Sequence, residues 1–295
     1  MAHELPYDEA VIQDGDPRPI FIEMFQAARA YLLDGGQAAE ARDAVATNPK
    51  GEATRAFDAE AERIALNIAR ERLGSFRAFS EEAGELIIGD HPRWTLVLDP
   101  CDGSNNFKRD IRSVGFAVAA LPAGAPLDPA LVEYAICGDI FTGTLYSAAR
   151  GHGATLDGRP ISASSVRNLH HAMLGVNIGH DGPIAPARDS ASDAELTRRI
   201  WELLESASTV RRTGSTVLDL CYVAQGAYSA YVDLRQRLTP ENFLAPALVI
   251  SEAGGAFTDA TGQPLGTVEF TQPYSVLAAG NDALLAAILG ALYRS

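Results

Sequence analysis

Cysteine is scarce. Cys101, Cys137 and Cys221 are three in 295 residues, widely spaced and odd in number. That excludes a disulfide framework, and no Cys-x-x-Cys pair offers a metal clip. Cys137 and Cys221 read as buried apolar thiols. Positive charge is also short: 24 Lys plus Arg, nearly all of them arginine, face 38 Asp plus Glu, for a net charge of -14. Such a field repels nucleic acid and anionic membranes, so neither is expected as a partner. It still permits an anionic substrate, because a bound divalent cation inverts the local field. No long hydrophobic run is present, and the longest, residues 284–293, is too short to span a bilayer. The start, Met1-Ala2-His3-Glu4-Leu5-Pro6, lacks the basic and apolar regions of a signal peptide. A soluble, cytoplasmic protein is therefore expected. What is there, 47% hydrophobic and 21% charged residues, suffices for one large or two small packed domains.

Helical spacing of apolar residues runs over 8–33 (Val11, Ile20, Phe21, Met24, Phe25, Ala28, Tyr31, Leu32), stopped by Gly35-Gly36. A weaker helical stretch covers 38–46, a polar loop with Pro49, Lys50 and Gly51 follows, and a second long helix spans 57–73. Residues 94–98, 114–121, 131–137 and 144–148 read as strands joined by tight turns. Beyond about residue 160, strands (172–176, 209–211, 228–232, 274–279) alternate with helices (194–206, 216–225, 243–252, 281–293). The adjacent His170 and His171 would face opposite sides of a strand. The pattern predicts an α/β (α+β) protein of two lobes: residues 1–165, sheet-rich and flanked by long helices, and residues 166–295, a smaller α/β lobe.

The sharpest chemical signal is Leu98-Asp99-Pro100-Cys101-Asp102-Gly103-Ser104. A buried strand ends in one aspartate and a second follows three positions on. Two such carboxylates can bridge divalent ions, and Gly103-Ser104 offers backbone N–H groups to an oxyanion. An Asp-rich capping turn would look the same in isolation. The company it keeps is what counts: Asp58 in a predicted helix, Glu81-Glu82 after a short strand, and Glu241-Asn242 followed by Glu252-Ala253-Gly254-Gly255.

In this order the motifs resemble those of the inositol monophosphatase/fructose-1,6-bisphosphatase superfamily, from about Lys50 to the C-terminus. Asp233-Leu234-Arg235-Gln236-Arg237 looks like its archaeal-type, dual-specificity branch. The resemblance implies a layered αβαβα sandwich with the metal site between the lobes. It further implies two or three Mg²⁺ ions, a small phosphorylated polyol or sugar as substrate, and a homodimer. It assigns Glu81, Asp99, Asp102 and the Cys101 carbonyl as metal ligands. Asp58 and Ser104 would be the pair that helps activate water, and the Gly103 and Ser104 amides would hold phosphate. Ser215, Asp233, Arg235 and Arg237 are candidates for substrate contact; a helix cap explains Ser215 equally well, and surface arginines explain the last two. Lys50 and Thr54 frame the family's lid loop.

One departure is serious. Asn242 occupies the position of the family's second-motif aspartate, a metal ligand, and Glu241 that of a tryptophan. Three readings follow: Asn242 ligates through its amide oxygen, Glu241 supplies the charge instead, or the chain is a silent relative that binds a ligand or partner. A nucleotide 3′-phosphatase would need a base-stacking aromatic near the cleft, and the sequence nominates none.

Overall fold

A computed structural model describes residues 15–177 and 190–293. Helix α1 (Arg18–Leu33) starts beside Pro17 and Pro19, where missing N–H groups cost nothing, and buries Phe21, Met24, Phe25, Ala28 and Leu32 at helical spacing. Residues 8–14 of the expected helix, Val11 included, lie outside the described residues. The helix expected over 38–46 is absent. After a 3₁₀ turn at Gly35–Gln37, that stretch forms a second one at Glu40–Arg42 and then strand β1 (Ala44–Thr47). So short a segment gains little from helix propagation, whereas β1 pairs antiparallel with β2 (Ala53–Arg55). The hairpin loop is tied by Asn48 Oδ1, which accepts the Lys50 and Glu52 N–H groups at 3.0 and 2.9 Å. Helix α2 (Ala56–Leu73) follows.

The first large sheet contains β3 (Phe76–Ser80), β4 (Gly84–Ile88), β5 (Trp94–Asp102), β6 (Gly115–Pro122), β7 (Tyr134–Asp139), β8 (Leu145–Ala149), β9 (Ala154–Leu156) and β10 (Arg159–Pro160). Its spatial order is β10-β9-β8-β7-β6-β5-β3-β4, with β3 and β5 parallel. A short helix, α3 (Ser104–Phe107), follows β5. Strand β7 begins later than expected because Leu131 closes a 3₁₀ turn that Asp128 caps.

The second sheet contains β11 (Met173–Asn177), β12 (Thr209–Arg211), β13 (Ala230–Leu238), β14 (Ala256–Asp259) and β15 (Tyr274–Ala279), in the order β12-β11-β13-β15-β14. Its helices are α4 (Ser190–Ser206), α5 (Thr216–Ala224), α6 (Pro240–Glu252) and α7 (Asp282–Tyr293). His170 and His171 do not flank a strand. They sit in a 3₁₀ turn, Leu169–His171, where the Asn168 side chain accepts the His170 N–H at 2.9 Å.

Three separate cores define the layers. Phe21, Phe25, Phe57 and Ala65 of α1 and α2 pack on Leu96, Leu98, Phe116 and Val118. Val97, Ala117 and Ala119, from the opposite face of the same strands, pack with Val217, Leu220, Phe243 and Leu248 of α5 and α6, and these also meet Tyr231, Val276 and Ala278. Leu203, Leu284 and Ile288 of α4 and α7 cover Leu174, Val232 and Leu277 on the outer face of the second sheet. The result is an αβαβα sandwich. Strand β5 is buried along its whole length because helices cover both its faces. Among the described residues no helix is long and apolar enough to cross a membrane.

Candidate active site

Pairing of β5 with β6 loses register between Asp99 and Asp102. Such a bulge re-aims side chains that strict alternation would fix. Asp99 Oδ1 accepts the Cys101 N–H at 2.9 Å, as an Asx turn does. Asp102 Oδ2 accepts the Ser215 hydroxyl at 2.5 Å and the Val217 N–H at 2.8 Å, which fastens it to the start of α5. The turn then needs Gly103, at φ 103°, where a Cβ would lie 3.0 Å from the Ser113 carbonyl oxygen. Gly103→Ala is expected to lower the unfolding free energy by about 1–3 kcal/mol in urea titrations, the usual cost of a strained backbone position.

Helix α2 brings in Asp58 and Glu62, four residues apart on its buried face. The Glu62 carboxylate accepts the N–H groups of Glu82 (2.9 Å) and Ala83 (2.8 Å), pinning the β3–β4 turn that carries Glu81. Thr54 donates to Glu82. Glu62 was missed in the sequence; its spacing from Asp58 was the available signal. The Cys101 thiol and the Arg55 backbone and charge favour the ionised form of Asp58 but do not outweigh its burial. Among the described residues no hydrogen bond joins it to Ser104, which is half-buried at the start of α3.

The start of α6 decides the fate of the unusual pair. Asn242 Oδ1 accepts the Thr239 N–H at 3.2 Å as half of a capping box. This turns its amide nitrogen toward Asp99 Oδ2, at 3.3 Å. Glu241 is 2% exposed. Its Oε1 takes the Lys50 ammonium, which reaches over from the β1–β2 loop and also donates to Thr239 Oγ1 at 2.9 Å. The Thr239 hydroxyl bonds the same carboxylate.

Asp58, Asp99, Asp102 and Glu241 are thus buried and Glu81 is half-buried, with Lys50 against them. Burial first, and then the Asp102 charge, pushes Asp99 well above the usual carboxylate range. Burial and then Asp99 do the same to Glu81, and burial and then Glu82 to Asp58. Burial lifts Asp102 to about 6 even though Ser215 and Val217 oppose it. Burial works against the Lys50 ammonium, but Glu241, Glu81 and Asp99 outweigh it and its pKa is raised. The cleft is short of positive charge. Among the described residues no three acidic, cysteine or histidine side chains stand together at chelating distance. The carboxylates are held instead by the N–H, hydroxyl and ammonium donors named above.

The remaining sequence candidates divide. Ser215 is fully buried, and its hydroxyl is committed to Asp102 while its oxygen caps α5 through the Leu218 N–H. Asp233 is also fully buried, and Arg235 forks onto it with Nη2 at 2.7 Å. That arginine therefore answers an internal carboxylate. Arg237 is half-buried two residues further on. Tyr231 links Asp233 (3.4 Å) to Thr216 (3.5 Å) at the start of α5. Glu252 is structural: its two oxygens accept the Gly151 and Gly153 N–H groups, both at 2.8 Å.

The pattern of the inositol monophosphatase family matches residues 22–294. The chain belongs to the inositol monophosphatase family. A fructose-1,6-bisphosphatase/inositol-1-monophosphatase of Methanothermobacter thermautotrophicus is 32% identical over 82% of this chain and 84% of that one. The Nus factor SuhB of Escherichia coli (strain K12) is 30% identical over 76% of this chain and 78% of its own. In fold, the extragenic suppressor protein SuhB of Bartonella henselae superposes with a TM-score of 0.77 over 94% of this chain and 98% of that one, at 22% identity. Membership of the inositol monophosphatase family supports a phosphatase.

Proposed function

We propose that the protein is a Mg²⁺-dependent phosphatase acting on small polyol or sugar phosphate monoesters, with its site between lobes 1–165 and 166–295. One arrangement supports this: the buried Asp58, Asp99 and Asp102 and the half-buried Glu81 lie near enough to raise one another's pKa values, with the Lys50 ammonium on the adjoining Glu241. Buried like charges cost stability, and a divalent cation would relieve that cost. An all-oxygen donor set suits Mg²⁺. Glu81, Asp99, Asp102 and the Cys101 carbonyl would hold it. Once bound it supplies positive charge for the phosphate oxygens and acidifies coordinated water.

The chain does the rest. The Gly103 and Ser104 N–H groups and the Ser104 hydroxyl hold the phosphate. Asp58, on the buried face of α2, takes a proton from the attacking water. A bond forms from that water's oxygen to phosphorus as the ester P–O bond breaks. The departing alkoxide takes a proton from solvent, leaving inorganic phosphate and the free alcohol. The net charge of -14 supports a small substrate met in a neutralised cleft over an extended polyanion.

The test is phosphate release from a panel of inositol monophosphates, fructose 1,6-bisphosphate and nucleotide 3′-phosphates, with Mg²⁺ and with EDTA. Release from the polyol and sugar esters that EDTA stops is the expected result. No release from any ester with Mg²⁺ present would leave the chain as a binding protein on this scaffold.

A further inference from the structure

At the start of α6, Asn242 and Glu241 take different partners. Asn242 is occupied. Its oxygen accepts the Thr239 N–H, so the amide presents a donor, not a lone pair, to Asp99. A ligand atom cannot be drawn from that geometry without undoing the helix cap. Glu241 is one residue earlier in the first turn of α6 and its side chain is 1% exposed. Its Oε1 is satisfied by Lys50 and Thr239. Its Oε2 is fully buried and has no hydrogen-bond partner among the described residues.

A buried carboxylate oxygen without a partner is costly, and native structures rarely leave one idle. Glu241 lies near enough to the acidic group for its charge to act on Glu81, Asp99 and Asp102 alike, and the helix start that carries it touches Asp99 through Asn242 at 3.3 Å. Among the described residues no donor reaches Oε2, since Lys50 and Thr239 both bind Oε1. Its chemistry, a hard anionic oxygen, is what an oxygen-ligated divalent cation selects.

We propose that Glu241, through Oε2, is the second-motif metal ligand of this chain, and that Asn242 is confined to the helix cap. The proposal rests on the phosphatase reading above and adds the carboxylate which that reading lacks. Lys50 and Thr239 clamp Oε1 and so leave Oε2 as the free lone-pair donor.

The test reads metal binding directly. Mn²⁺, which is visible by electron paramagnetic resonance and stands in for Mg²⁺, is titrated into chelator-treated full-length protein. Native protein is compared with Glu241→Gln, with Asn242→Ser and with the double variant Glu241→Gln/Asn242→Asp. Glu241→Gln is expected to weaken Mn²⁺ binding at least about tenfold or to lose one ion, as removing a ligand or its support does. Asn242→Ser is expected to stay within about threefold of native on the same scale, and the double variant to recover most of the loss. Thermal melts in EDTA establish that each variant is folded before it is titrated. Glu241→Gln that binds Mn²⁺ like native overturns the proposal, as does a native protein that binds none. Phosphate release measured on the same samples separates the two claims. Glu241-dependent Mn²⁺ binding without turnover keeps the ligand and removes the phosphatase. Turnover with Mn²⁺ affinity indifferent to Glu241 does the reverse.

Discussion

Asp99→Asn is expected to cut Mg²⁺-dependent phosphate release about a thousandfold, the rate equivalent of about 4 kcal/mol of lost charge stabilisation, while raising the melting temperature of the metal-free protein. The two effects have one cause. Asp99 is 1% exposed and feels Asp102 and Glu241, so its charge is a burden whenever no cation is present. Asparagine keeps the shape and keeps the oxygen that accepts the Cys101 N–H at 2.9 Å. The contact at risk is the 3.3 Å bond from Asn242, a long one that contributes little. Relief of the buried repulsion therefore wins, by a few degrees in a melt run in EDTA. With Mg²⁺ present the order reverses, because native protein gains the free energy of binding and the variant does not. A variant that turns over like native would remove Asp99 from the catalytic machinery. A variant less stable than native in EDTA would show that the carboxylates are not in mutual conflict.

Metal-free protein is expected to be more stable at pH 5 than at pH 8. Asp102 rises from 3.8 to about 6 on folding, and Asp219, buried near Thr213, rises to about 7. A raised folded pKa means that the native state binds its proton more tightly than the unfolded chain. That contribution is complete below about pH 4 and is lost as pH climbs through 6 to 7. For Asp102 alone the loss is on the order of 3 kcal/mol, two pKa units at about 1.4 kcal/mol each. Glu81, Asp99 and Asp58 act in the same direction. Mg²⁺ competes with those protons, so the stabilisation it gives should be larger at pH 8 than at pH 5. Melting curves in EDTA and in Mg²⁺ at both pH values decide the matter. A melting temperature in EDTA that is flat or rises with pH would contradict the burial of these acids.

Much of the fold was legible because its signals are short-range. The apolar spacing of Phe21, Met24, Phe25, Ala28 and Leu32 and the unbroken run of β5 both report local periods of backbone geometry. The stretch 38–46 and the pair His170-His171 were misread for the complementary reason. Each is only a turn or two long, and pairing across a hairpin or a capped 3₁₀ turn outweighs so weak a local preference. Within the site, Asp99, Asp102 and Gly103 were visible together because one turn carries them all.

By itself the sequence determined the order of elements, the acidic charge, the family and the turn at the end of β5, since each is written in neighbouring residues or in their order along the chain. Only the tertiary structure decided the partners. Lys50 meets Glu241 across 191 positions, and Ser215 meets Asp102 across 113. Arg235 is turned inward onto Asp233, and Asn242 points its amide, not its oxygen, at Asp99. A carboxylate's role depends on which donor reaches it and how much water is left around it. Those quantities arise only when distant segments pack, as α5, α6 and the β1–β2 loop close around the end of β5.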